Sequence, residues 1–295
     1  MSQSASLGES HRIALSNGTI LYRDRGTGPV VLFLHGTIVT GDLWRNVVPS
    51  VSAAGYRAIT PDLPFGAHEI AVPGADLSAP GAAGMVTELL ERLDLSDVIV
   101  VGNQFGGVVA QLLMADHPER IRGAVLAAPD CFEYFPPPTL AYLPLAGRIP
   151  GSMRLLGLAT RSRFVRQLPW VFGRTAKRPI PRDIMDNNLR PCRASAAIRD
   201  DGRRMVLRVN KRVTLAVAQR LPSFEKPVLI IWAAEDKIYP RSLAHRLHAV
   251  LPNATVRLIE DSYTWIPEDQ PDALARMIIE FADQTVHEPR TTPLT

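Results

Sequence analysis

Gln104 stands in the run Val101-Gly102-Asn103-Gln104-Phe105-Gly106-Gly107, where a strand feeds a helix and glycines flank a short polar turn. A carboxamide there is nearly non-nucleophilic and does not titrate near neutral pH. Its oxygen accepts and its nitrogen donates hydrogen bonds, so it can position or polarise a ligand, or simply be satisfied by its own loop. Groups able to move protons must come from elsewhere. The candidates are Asp130, at the end of a strand beside the turn, Asp236, and His68, in the loop after Pro61-Asp62. Each has a plainer alternative: a hinge hydrogen bond for Asp130, a buried carboxylate without a task for Asp236, an ordinary exposed histidine for His68.

The elements that must position these residues follow from hydrophobic patterning. Val30 to Leu34, Val98 to Val101, Ala124 to Ala127 and Val228 to Trp232 are short runs rich in Val, Leu and Ile, as expected of parallel strands buried on both faces. Met85 to Leu95 and Val108 to Ala115 carry helical spacing, so strand and helix alternate. Earlier, Arg12 to Leu15 and Thr19 to Asp24 flank Ser16-Asn17-Gly18, a hairpin turn that adds an antiparallel edge. From Cys131 to about Pro222 the alternation gives way to Pro-rich turns and Arg-bearing helical stretches. The chain therefore divides into an α/β core over 8–131 and 223–285, an inserted helical lid over 132–222, and a disordered tail over 286–295.

Leu34-His35-Gly36-Thr37, Leu43-Trp44-Arg45, Thr60-Pro61-Asp62-Leu63, the glycine-flanked turn at Gln104 and His117-Pro118-Glu119-Arg120 together resemble the α/β-hydrolase superfamily. The turn and the Leu-Trp-Arg-Asn segment are most similar to its epoxide-hydrolase and haloalkane-dehalogenase branch. The resemblance covers nearly the whole chain outside the lid and implies a mostly parallel twisted sheet flanked by helices. It also implies a nucleophile at Gln104, an acid at Asp236 and a catalytic histidine at Thr264, so two of the three positions hold residues that cannot run the covalent cycle. Asp236 is then either a buried relic or a base with raised pKa. The amides of Thr37 and Phe105 would form the oxyanion site. His35 shapes that loop and stands at the edge of the substrate site. Tyr134, Tyr142, Trp170, Thr264 and Trp265 would complete the substrate wall, with Trp265 either lining the pocket or packing under the lid. Phe105 and Thr37 replace the halide-binding residues of the dehalogenases, which disfavours dehalogenation.

Composition sets outer bounds. The chain has 295 residues, 46% of them hydrophobic and 21% charged, which suits one globular α/β unit. A net charge of +4 with arginines spread along the chain is no nucleic-acid footprint. Cys131 and Cys192 give neither a disulfide framework nor a metal spacing. No phosphate loop or dinucleotide fingerprint occurs, so no cofactor is implied. Neither a signal peptide nor a membrane span is legible, which places the protein in the cytoplasm; a homodimer stays open. The expectation is a cofactor-free cyclase, isomerase or lyase acting on an apolar small molecule, in natural-product biosynthesis. The alternatives are an epoxide or ester hydrolase whose Asp or His activates water directly, and a non-catalytic small-molecule binder.

Overall fold

A computed structural model describes residues 4–287. Eight strands form one sheet: β1 (Glu9–Leu15), β2 (Gly18–Arg25), β3 (Val30–Leu34), β4 (Arg57–Pro61), β5 (Val98–Gln104), β6 (Ile121–Pro129), β7 (Val228–Ala233) and β8 (Ala254–Ile259). Their order is β1-β2-β4-β3-β5-β6-β7-β8. β1 and β2 pair antiparallel, as do β2 and β4. From β4 to β8 every pairing is parallel.

Two-residue periodicity sorts the strand side chains between two apolar layers. Leu32 and Leu34 of β3, Leu126 of β6 and Trp232 of β7 enter one layer. Val31, Phe33, Val125 and Ile231 enter the other. Both faces are covered, which is why these strands read as continuous apolar runs and not as alternating ones. The helices of the core are α1 (Val48–Ala53), α2 (Ala79–Arg92) and α3 (Phe105–Asp116). Ser78 caps α2, its side chain accepting from the Gly81 amide, and Pro80 fits the first turn, so the helix begins before the Met85 that periodicity marks.

Between β6 and β7 the chain inserts α4 (Leu143–Ala146), α5 (Ser152–Ala159), α6 (Arg163–Arg166), α7 (Arg182–Ala194), α8 (Ala196–Arg208) and α9 (Lys211–Ala218). The chain returns through α10 (Ser242–Val250), α11 (Ile266–Asp269) and α12 (Pro271–His287). A tail is expected from 286 on sequence alone, whereas α12 includes 286 and 287; 288–295 lie outside the described residues. Two clusters of hydrogen bonds are among the contacts that tie the insertion to the core. Asp201 of α8 pairs with His68 at 3.0 Å and accepts the Val72 amide at 2.8 Å. The Trp265 amide donates to the Thr175 carbonyl at 2.6 Å, while Asp269 accepts the amides of Lys177 and Arg178.

Candidate active site

β5 ends on Gln104 with φ 51° and ψ −121°, a conformation that costs a non-glycine residue about 1–3 kcal/mol. Close packing enforces it. A Cβ on Gly106 would lie 2.2 Å from the Leu34 carbonyl oxygen, and one on Gly107 would lie 2.3 Å from the Pro129 Cβ, so α3 approaches β3 and β6 only because these residues are glycine. Asn103 Nδ2 donates to the carbonyls of Ala127 at 2.8 Å and Thr264 at 2.9 Å, locking the turn to the loop after β8. The Gln104 side chain folds over Gly36, where a Cβ would meet Oε1 at 2.4 Å.

Above the turn lie two lobes of about 80 and 40 Å³ that share Thr37, Ile38 and Gln104 as floor and Met205 and Val206 of α8 as roof. Leu156, Phe172 and Trp265 wall the larger lobe; Phe105, Phe135 and Asp130 wall the smaller. The enclosure is almost wholly apolar. Gln104 Oε1 and Trp265 Nε1, on two residues that line the cavity, are buried without a hydrogen-bond partner among the described residues.

Asp130 is the carboxyl on the wall of the smaller lobe. Burial pushes its carboxyl up to about 7, against the opposing effect of a hydrogen bond from Tyr239, whose hydroxyl donates to Oδ1 at 2.6 Å. Tyr239 is itself wholly buried. Desolvation and the adjacent Asp130 hold its phenol well above the usual tyrosine range, and a hydrogen bond from the Gln104 carboxamide partly offsets this. Tyr239 and Asp130 thus form a buried hydrogen-bonded pair beside the cavity, with Gln104 next to them.

Residues 31–277 match the family model described as the alpha/beta hydrolase family. The chain belongs to that family. It is 27% identical over 282 residues to haloalkane dehalogenase 2 of Mycobacterium tuberculosis (strain ATCC 25618 / H37Rv), covering 92% of this chain and 94% of the relative. It is 26% identical over 290 residues to a 2-hydroxy-6-oxononadienedioate/2-hydroxy-6-oxononatrienedioate hydrolase of Cupriavidus pinatubonensis, covering 93% and 95%. Among solved structures, the epoxide hydrolase CorEH without ligand superposes with a TM-score of 0.79 at 20% identity over 94% of this chain and 99% of that one, a likeness of fold.

Within this α/β-hydrolase frame, the loop after β7 and the loop after β8 still meet. Thr264 Oγ1 donates to Asp236 Oδ1 at 2.8 Å, and the amides of Ile238 and Tyr239 donate to the same oxygen at 2.8 and 2.9 Å. Burial raises the Asp236 carboxyl to about 6 in spite of these three donors. Thr264 is buried and Asp236 half-buried, and neither lines the cavity, so the expectation that Thr264 touches substrate and that Asp236 reaches it directly is corrected. Thr264 spends its only hydroxyl proton on Asp236.

Other expected positions also fall elsewhere. His68 is buried in its pair with Asp201 of the helical insertion and does not line the cavity. His35 uses both ring nitrogens: Nδ1 on the Gly36 carbonyl at 2.7 Å and Nε2 accepting the Leu63 amide at 2.9 Å. Burial lowers its pKa to about 4, so it stays neutral and shapes the loop without lining the cavity. Tyr134 packs against the core and Trp170 is 55% exposed on the outer face of the lid. Tyr142 does line the cavity, but its hydroxyl donates to the Trp170 carbonyl at 2.8 Å. Gln104, Asp130, Thr37, Phe105 and Trp265 are brought together on the cavity wall. Sequence reasoning missed Tyr239, and it missed Asn103 as the link between the two loops. The described residues include no group of three or more His, Cys, Asp or Glu side chains placed to hold a metal ion.

Proposed function

We propose that this α/β-hydrolase-family chain is an enzyme that moves protons on a small, mostly apolar molecule without forming a covalent intermediate. The observation that carries this reading is the placement of Asp130, a carboxyl titrating near 7, on the wall of the same cavity that Gln104 floors. A carboxylate with that pKa is about half ionised at neutral pH and serves both as base and as acid. Asp130 removes a proton from a carbon of the bound molecule. The electron pair left behind moves onto a substrate oxygen held by the amides of Thr37 and Phe105. The protonated Asp130 then returns the proton to a different atom, giving an isomer, a ring or an elimination product. Gln104 offers its carboxamide where the family presents a nucleophile, so it orients the substrate and does not attack it. An apolar enclosure of this size strengthens each of these interactions by excluding water.

Direct hydrolysis is the second reading. It is favoured by the relatives that match over nearly their whole length, which are named as a dehalogenase and a hydrolase. Asp130 would then activate a water molecule. The test begins with comparison of small molecules in cells with and without the gene, followed by incubation of the accumulating compound with purified protein in ¹⁸O-labelled and in deuterated water. A product isomeric with its precursor, carrying solvent deuterium and no solvent oxygen, and lost in Asp130→Asn, supports proton transfer. A product heavier by one labelled water assigns hydrolysis, and unchanged recovery of a ligand that raises the melting temperature assigns a binder.

A further inference from the structure

The lid has a second apolar face, turned away from the cavity. On α5, Met153, Leu156 and Gly157 line the cavity, while Arg154, Leu155 and Leu158 lie on the opposite side of the helix and are exposed. Six of the nine exposed large apolar side chains among the described residues, Leu145, Ile149, Leu155, Leu158, Phe164 and Trp170, fall within 145–170 of this insertion and do not line the cavity. Leu155 is 70% exposed and Phe164 71%, values that ordinary surface residues of these types reach singly but not as a group.

The charge on the same segment has one sign. Between Glu133 and Asp183 the chain has no acidic residue and nine Arg or Lys. Arg166 and Arg182 pair with Asp186, and Lys177 and Arg178 with Asp261. Arg148, Arg154, Arg161, Arg163 and Arg174 are exposed and pair with no acid among the described residues. The Arg163 guanidinium lies 5.6 Å from the centre of the Phe164 ring, so cation and apolar group share one spot.

We infer that this outer face of the lid docks the protein onto an anionic lipid bilayer. Interleaved exposed Leu, Ile, Phe and Trp with unpaired arginines suit the boundary between headgroups and acyl chains, where the rings and aliphatic chains sink in and the guanidiniums reach phosphate. A second copy of the chain fits worse, because a twofold contact would set five unpaired cations against their own equivalents. Nucleic acid would leave the apolar side chains without partners. The footprint also abuts the catalytic space: Trp170 is exposed, and the following Val171 and Phe172 line the cavity, so a lipid-dissolved substrate meets the lid where it lies. The inference is independent of which reaction the cavity performs.

The test is co-sedimentation of the full chain with phosphatidylcholine vesicles, with and without about 30 mol % phosphatidylglycerol, at low and at high salt. Of the four tryptophans, Trp44, Trp232 and Trp265 are buried, so a blue shift of the emission on vesicles reports Trp170 and vanishes in Trp170→Phe. Binding to the anionic vesicles only, weakened about tenfold or more by Arg154→Glu with Arg163→Glu, and independently by Leu155→Ser with Phe164→Ser, is the expected result. All four positions are exposed, so circular dichroism and melting should be unchanged. Absence of binding to anionic vesicles at low salt, equal binding to neutral ones, indifference to both variant pairs, or a solution dimer abolished by the same substitutions would each overturn it.

Discussion

The Tyr239 hydroxyl donates to Asp130 at 2.6 Å while the backbone amide of the same residue donates to Asp236 at 2.9 Å. One residue of the loop after β7 thereby couples the acid on the cavity wall to the acid that does not line it. The two carboxyls experience opposite supports: Asp236 collects three donors on one oxygen, whereas Asp130 has the single phenol. That difference explains why burial raises the carboxyl of Asp130 further.

A raised folded-state pKa makes Asp130 a source of pH-dependent stability. Unfolded, it releases its proton near 3.8; folded, near 7. The folded chain therefore binds more protons within that window, and the stability it gains from the protonated form, complete below about pH 4, is lost as pH rises to 7. Asp130→Asn keeps an acceptor for Tyr239 and removes the titration. Its melting temperature is expected to exceed that of the wild type at pH 8, by an amount equivalent to a few kcal/mol at most, with little difference at pH 4. Melting curves across pH check this; an unchanged pH slope in the variant would refute the assignment. A weaker slope from Asp236 should remain, ending near pH 6.

Thr264→Val removes one of the three donors that hold the Asp236 anion. The carboxyl then titrates higher still. The variant is expected to lose about 1–2 kcal/mol at pH 8, where Asp236 is ionised, and much less at pH 4, where it is protonated in both proteins. Chemical denaturation at the two pH values measures the difference.

The strands were readable because a sheet covered on both faces demands unbroken apolar runs, and the turn at Gln104 because Gly106 and Gly107 mark a helix pressed against two strands. The position of Asp130 beside the turn was readable because it directly follows β6. Tyr239 was not, since its role depends on meeting an acid 109 residues away, and a tyrosine in a loop carries no pattern. His68 misled for the same reason: its partner Asp201 is 133 residues distant in a lid helix. The lid offers mixed amphipathic spacing that does not say which apolar face turns inward; only packing on Met205 and Val206 decides that.

Gly36 and Gln104 are steric partners. A methyl group at residue 36 would sit 2.4 Å from Gln104 Oε1 and 3.1 Å from its Cβ, so Gly36→Ala must push the carboxamide aside. A cost of about 1–3 kcal/mol is expected, together with loss of whatever ligand binding Gln104 supports. In the background of Gln104→Gly, which also relieves the positive φ, the same Gly36→Ala change should be nearly neutral. The non-additivity of this double-mutant cycle is the readout, and additive effects would show that the two residues do not meet.

Arg45 and Glu268 make a bidentate pair, both contacts 2.7 Å, with side chains 8% and 7% exposed. Arg45 lies between β3 and α1, and Glu268 lies in α11, directly after Trp265. The pair thus clamps the Trp265 wall against the core. Arg45→Leu leaves a buried carboxylate without its partner and is expected to cost about 3–5 kcal/mol, lowering the melting temperature by on the order of 10 °C. Adding Glu268→Leu should restore much of that loss, because two buried apolar side chains have no charge to desolvate. If the single variants cost only what exposed pairs cost, about 1 kcal/mol or less, the clamp is open to solvent and the position of Trp265 is set by the Thr175 carbonyl and Asp269 alone.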